Sequence, residues 1–299
     1  MFVNNYYLIL FLFGLAIGSF FNVLACRYDP EKNVFHLKHL RGRSRCPQCG
    51  KTLRWFELVP LVSFIIQRGT CRSCKARISI QYPLVELAAG TLTAAVPWFL
   101  IRFYGPFPLL MERGLIPWLF VVAALFTCAF LVLLLIAVID IRCFIIPDEL
   151  NIILGIAGAA IAIALFMGGP PFPLRGSFLK HYSLLFFPVQ NPIVSRLIGA
   201  FAGALFFGAF AVASKGTGMG FGDVKLAFAS GLVLGWPDIA LASLAAFVLG
   251  GVWGTVSLTL KKKTMKDRLP FAPFFVLGIA LTVFFGAEIV RGYFALFQA

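Results

Sequence analysis

The stretch "LFVVAALFTCAFLVLLLIAVIDIRCFIIPDEL", Leu119–Leu150, decides the fold. Up to Ile139 it carries no charge, which is the length and character a helix needs to cross ~30 Å of hydrocarbon. The run stops on Asp140, passes Arg142 and Pro147, and restarts at Asp148, where Pro-Asp-Glu makes a helix start. The pattern predicts a crossing helix, an acid at its end, a turn, and a second crossing helix.

Apolar runs of this kind recur outward along the chain, at 6–26, 83–104, 115–140, 148–168, 193–214, 238–260 and 271–291. A shorter one, 224–235, is counted as a span because its Gly and Ala let it pack inside a bundle. Of the 299 residues 60% are hydrophobic and only 13% charged, far from the balance of a water-soluble globule. The expected fold is therefore an all-α polytopic membrane protein of about eight transmembrane helices, with one small zinc-ribbon-like cytoplasmic insert. The first run is read as a retained span, since "MFVNNYY" has no basic n-region and the positive charge follows the apolar run.

The formal charge of +14 is a topology signal. With eight spans and the N-terminus outside, the inner segments 27–82, 141–147, 214–225 and 261–268 hold 20 of the 26 Lys and Arg. The expected localisation is thus a bacterial cytoplasmic (inner) membrane, with 27–82 inside. A nucleic-acid partner is not expected, because that would need a basic and aromatic soluble face. The basic stretch 261–268 reads as an orientation signal. The Pro- and Phe-rich stretch 168–192 is expected in or on the outer interface. No internal repeat is visible.

Three parts follow: a first transmembrane helix, 1–26; a tetracysteine zinc-binding domain, 27–82; and a transmembrane core, 83–299. In the domain, "CPQCGKTL" and "CRSCKARI" place Cys46, Cys49, Cys71 and Cys74 as two CxxC pairs separated by 21 residues. Each pair sits in a turn, so four thiolates can complete a tetrahedron around a structural Zn²⁺. Disulfides are disfavoured on the reducing side of the membrane, and an insert this small needs a staple. Cys26, Cys128 and Cys143 read as packing residues.

Only 12 acidic residues exist, so those at span edges can be weighed singly. Asp140, Asp148 and Asp223 all fall at the inner boundary, where acids from different spans can meet. Capping and the helix dipole account for Asp148, which follows Pro147. They account badly for Asp140, at a helix C-terminus. Asp223 opens its span, so helix polarity predicts that it prefers ionisation while Asp140 holds a proton, an acid and base pair suited to aspartic protease chemistry. The glycines at 216, 218, 220 and 222 would let the backbone bend and approach a substrate strand closely. A phosphate loop is not expected, because no strand precedes the run and no Lys-Ser or Lys-Thr follows it.

These motifs occur in one order: "GSFFNVLACR" from 18, "CPQCGKTLRWFELVPLVSF" from 46, "RGTCRSCKARIS" from 68, "YPLVELAAG" from 82, "DIRCFIIPDELN" from 140 and "GMGFGDVKL" from 218. Taken together the sequence resembles the prepilin peptidases, or type IV leader peptidases, of the GxGD class of intramembrane aspartic proteases. The resemblance implies cleavage of the basic leader from prepilins and pseudopilins ahead of their hydrophobic N-terminal helix. It implies Asp140 and Asp223 as the catalytic pair, with Asp148, Gly220 and Gly222 in support. It also implies methylation of the new N-terminal amine with S-adenosylmethionine, for which no strand and GxGxG turn is visible here. Asn22, beside Gly18, Ser19 and Arg27, reads equally as a substrate or methyl-donor contact and as packing. Glu86, after Pro83, reads as a first-turn cap or as a functional acid. The interval between the two catalytic motifs is long for the family. A transporter using the same acids, or a non-catalytic zinc-ribbon scaffold of a secretion or pilus assembly, would be the rival readings.

Overall fold

The computed structural model describes residues 2–34, 42–104, 116–168, 176–187, 189–214, 219–260 and 268–296. Its α-helices are α1 (Phe2–Arg27), α2 (Val62–Ile66), α3 (Gln81–Phe103), α4 (Ile116–Cys143), α5 (Asp148–Gly168), α6 (Pro192–Ala213), α7 (Phe221–Leu234), α8 (Asp238–Thr259) and α9 (Ala272–Ala295). Among the described residues the only extended pairings are two isolated bridges, Arg45 with Thr52 and Thr70 with Arg77. Among the described residues seven helices are long and apolar enough to cross a membrane: α1, α3, α4, α5, α6, α8 and α9. The protein is a multi-pass helical membrane protein.

The run expected as an eighth span, 224–235, forms a helix too short to cross hydrocarbon by itself. α7 has 14 residues, or about 21 Å at ~1.5 Å per residue, less than the ~30 Å of hydrocarbon. It is enclosed instead: every residue from Leu226 to Leu234 is buried or partly buried. Small residues allow this. A Cβ on Gly231 would meet the Gly199 carbonyl oxygen of α6 at 2.4 Å, so only glycine fits where these two backbones meet. The far end of α7 is closed by protein. The Trp236 N–H donates to the Ser195 carbonyl (3.0 Å) and the Ser195 hydroxyl to the Trp236 carbonyl (2.9 Å), which spares these backbone groups a place in hydrocarbon.

The chain divides into two compact units, 1–100 and 101–299. In the first, α1 and α3 run antiparallel in a register read from their contacts. Thr93 donates to the Leu10 carbonyl (2.9 Å), a Cβ on Gly14 would overlap the Ala89 carbonyl, and Asn22 Nδ2 donates to the Tyr82 carbonyl (3.0 Å). In the second, α7 packs against α5 and α6, α8 against α9, and α4 against α5 and α9.

In the 168–192 stretch, residues 169–175 and 188 lie outside the described residues, as do Gly216 and Gly218 and most of the basic 261–268 segment. The described part has an outer and an inner side. Leu184, Leu185 and Phe187 are exposed, whereas Phe178 is buried between Phe103 and Phe126.

Candidate functional site: two acids and four thiols

The acids sit where α4, α5, α7 and α9 begin or end. α4 closes at Phe144, whose left-handed backbone (φ 54°) turns the chain and whose N–H donates to the Asp140 carbonyl at 2.9 Å. Pro147 then opens α5, with Asp148 as its first residue. Ile146, inside this turn, lies against Gly222: a Cβ there would stand 3.4 Å from the isoleucine. That contact brings the α4–α5 turn, which follows Asp140, to the start of α7, which carries Asp223.

Each carboxylate is held by a backbone amide. Asp223 Oδ2 accepts from the Gly220 N–H at 3.1 Å, while the Asp223 N–H donates to the Gly220 carbonyl at 3.1 Å. Asp140 is buried and its Oδ2 accepts from the Ala272 N–H at 3.0 Å. Ala272 is the first residue of α9, so Asp140 caps a helix 132 positions further along the chain. This corrects the expectation that capping explains Asp140 badly: it ends its own helix, but it faces the N-terminus of another. Both acids therefore meet a helix start, and the dipole does not divide their roles.

Asp148 accepts from Lys225 Nζ on both oxygens at 2.8 Å, an exposed ion pair joining α5 to α7. Asn151, one turn further into α5, is buried with both amide atoms unpartnered. Of the glycines expected to bend the backbone here, Gly220 takes an ordinary conformation. Gly220 has an extended, negative-φ backbone, and a Cβ there would meet nothing closer than 3.8 Å. Neither strain nor packing requires glycine at 220; what its absence of side chain leaves is open space beside the Asp223 carboxylate.

In the first unit, Glu86 and Asn22 turn inward. α3 starts at Gln81, so Glu86 lies in the second turn and is not a first-turn cap. Its carboxylate accepts from the Leu61 N–H (2.8 Å) and from the Ser19 hydroxyl. It thereby joins α1, α3 and the tetracysteine segment. Arg27, at the end of α1, donates to the Gly42 and Arg43 carbonyls, at 3.2 and 3.3 Å.

The four cysteines converge. Their sulfurs all lie within 4.8 Å of one another, and Cys46 Sγ is 3.9 Å from Cys74 Sγ. A tetrahedron with Zn–S of ~2.3 Å has S–S edges of about 3.8 Å, so the set fits a zinc ion. The two pairs are built alike, a repeat the residues alone did not disclose. Cys46 N–H donates to the Lys51 carbonyl and Gly50 N–H to the Cys46 carbonyl; Cys71 N–H donates to the Ala76 carbonyl and Lys75 N–H to the Cys71 carbonyl. Gly50 (φ 68°) and Lys75 (φ 59°) hold equivalent left-handed positions. The N–H groups of Cys74 and Ser73 pointing at the Cys71 sulfur bring its thiol down to about 6. At Cys74 the Ala76 N–H, which favours thiolate, is outweighed by burial and the neighbouring thiols Cys71, Cys49 and Cys46, which carry it up to about 11. Cys26, Cys128 and Cys143 form no disulfide, and Cys26 Sγ lies 3.1 Å from the Tyr82 hydroxyl oxygen.

A second buried polar cluster was not foreseen. Asp238, the first residue of α8, is fully buried and accepts from the Ser177 hydroxyl (2.8 Å) and the Phe178 N–H (3.2 Å). Arg196 of α6 is also buried and interacts electrostatically with Asp238 and Tyr104. The signal was present as an Arg and an Asp of opposite sign at the starts of two apolar runs.

The fold and these sites define a multi-pass helical membrane protein with a four-cysteine cluster that could hold a metal ion and with acids at the ends of its helices. Residues 12–100 match the family described as Bacterial Peptidase A24 N-terminal domain, and residues 125–255 match the Type IV leader peptidase family. The chain is 33% identical over 286 residues to the prepilin leader peptidase/N-methyltransferase of Bacillus subtilis (strain 168), covering 95% of this chain and 96% of that one. It is 34% identical over 297 residues to the protein of that name from Burkholderia pseudomallei (strain K96243), covering 91% and 83%. It is 28% identical over 313 residues to the one from Aeromonas salmonicida (strain A449), covering 96% and 94%. No solved structure matches the chain. The chain belongs to the Type IV leader peptidase family.

Proposed function

We propose that this protein is an aspartic endopeptidase of the bacterial inner membrane that removes the basic leader from type IV prepilins or pseudopilins at the cytoplasmic face and then methylates the new N-terminus. What supports the peptidase reading is that the turn after Asp140 packs, through Ile146, on Gly222 at the start of α7, one residue from Asp223, beside the open space at Gly220. One carboxylate, ionised, takes a proton from water as that water attacks the scissile carbonyl; the other, protonated, gives its proton to the departing amine nitrogen. Asp148, through Lys225, and the close Gly222–Ile146 contact hold the two motifs in register. A boundary site suits the substrate, whose leader charge then stays out of hydrocarbon.

Cys46, Cys49, Cys71 and Cys74 would hold a structural zinc ion, which supplies a crosslink where residues 27–82 have too small a core. Residues 1–26 serve as an anchor helix and 83–299 as the peptidase core. Methylation rests on the names of the relatives. The described residues form no strand and glycine turn of the kind that holds S-adenosylmethionine, so no residue is assigned to that donor and no step is routed through it.

The test is incubation of the purified full-length protein with a prepilin and labelled S-adenosylmethionine, with mass analysis of the product. Loss of the leader mass and gain of one methyl group is expected. An intact prepilin overturns the peptidase reading, and a cleaved but unmethylated product overturns the second activity alone.

A further inference from the structure

The loop between the two cysteine knuckles carries more bare apolar surface than a metal-stapled fold of its size has reason to show. Trp55, Ile65 and Ile66 are 78%, 72% and 64% exposed, and Leu58 and Val62 are exposed as well. The same segment has an inner side. Phe64 packs over Gly69, and Phe56 receives the Arg72 guanidinium 5.1 Å from its ring centre. The outward residues are therefore one face of an ordered element, with Val62, Ile65 and Ile66 brought together by helical spacing in α2.

The height of this face is fixed by a hydrogen bond. The Leu61 N–H, at the start of α2, donates to Glu86 Oε2, and Glu86 lies in the second turn of the membrane span α3. α2 thus begins level with residues already inside the span, where Leu84 is likewise exposed. Basic side chains stand at the two ends of the stretch: Arg54 and Arg68 are exposed.

We infer that Trp55, Leu58, Val62, Ile65 and Ile66 form a lipid-seating face, dipping into the boundary between head groups and acyl chains of an anionic leaflet, with Arg54 and Arg68 at phosphate level. The aromatic and aliphatic residues on one side and arginines at the rim are the composition of an interfacial element. The other occupant of an apolar face here would be the hydrophobic helix of a protein substrate. Charge favours lipid, since the arginine rim attracts phosphate and repels a basic leader. The tetracysteine segment then lies on the membrane, held by its own loop and by Glu86.

The experiment uses the full-length protein in nanodiscs of phosphatidylethanolamine and phosphatidylglycerol, with a benzophenone amino acid at position 65 and, as control, at the knuckle residue 75. Irradiation is expected to give a lipid adduct on the peptide bearing position 65 and none on that bearing 75, with yield falling severalfold when phosphatidylglycerol is replaced by phosphatidylcholine. The fluorescence lost in Trp55→Phe should be the part quenched by brominated lipid. Metal content equal to the parent protein verifies folding of each variant. Absence of both adduct and quenching places the face in water and overturns the inference. Equal yields in neutral lipid overturn the anionic preference, and transfer of the adduct to added prepilin assigns the face to substrate. None of these readouts depends on cleavage, so the result stands apart from the peptidase assignment.

Discussion

The four-thiol knuckles and the two-acid end of the helical bundle solve one problem in opposite ways. Both must hold polar groups that repel or compete at a single point. The knuckles do it with little apolar core: each pair is shaped by its own local hydrogen bonds, and a metal would provide the remaining cohesion. The acids are held by packing, as α7 is enclosed by α5 and α6 and each carboxylate is pinned by one backbone amide. A local site can be lost and leave the rest standing, whereas the packed site is sensitive to any change that parts its helices.

The sharpest way to break the comparison is at the acids. Asp140→Asn and Asp223→Asn should each lower cleavage of a prepilin by on the order of 10²–10⁴-fold in single-turnover assays while thermal stability changes little. Full activity in either variant removes the pairing. Next, Cys46→Ser with Cys71→Ser, or treatment with a strong chelator, should abolish bound zinc by elemental analysis. Proteolysis should then open residues 42–80 with the 101–299 unit still protected. Acidification acts in the same direction, since protons compete for the thiolates and metal retention falls as the pH drops. Gly231→Val should force α7 from α6, because its Cβ meets backbone, and cost about 1–3 kcal/mol in thermal unfolding. The mildest change is Asp148→Asn. Breaking this exposed pair with Lys225 should cost at most about 1 kcal/mol.

Much of this arrangement could be read from the residues because it depends on composition over short windows. Apolar runs of span length fell on α1, α3, α4, α5, α6, α8 and α9, and the Gly and Ala content of 224–235 signalled a helix packed inside protein. The CxxC spacing carried the metal site for a similar reason, as each knuckle is complete within about eight residues. What escaped was partnership across long separations. The Ala272 amide on Asp140, the Leu61 amide on Glu86, and the meeting of Arg196 with Asp238 and Tyr104 each join segments that no local period connects. Hydropathy records that a residue enters the bundle; it does not record which helix end it will face.

The shortness of α7 has a consequence for where this protein can work. Seven helices present long apolar flanks to the acyl chains and must tilt, stretch or thin their surroundings to match them. The helix bearing Asp223 stands apart from that adjustment, since beyond its first turn it meets other helices and its far end rests on Ser195. Hydrophobic mismatch is thus absorbed by the outer wall, and membranes of differing acyl length impose their strain away from Asp223.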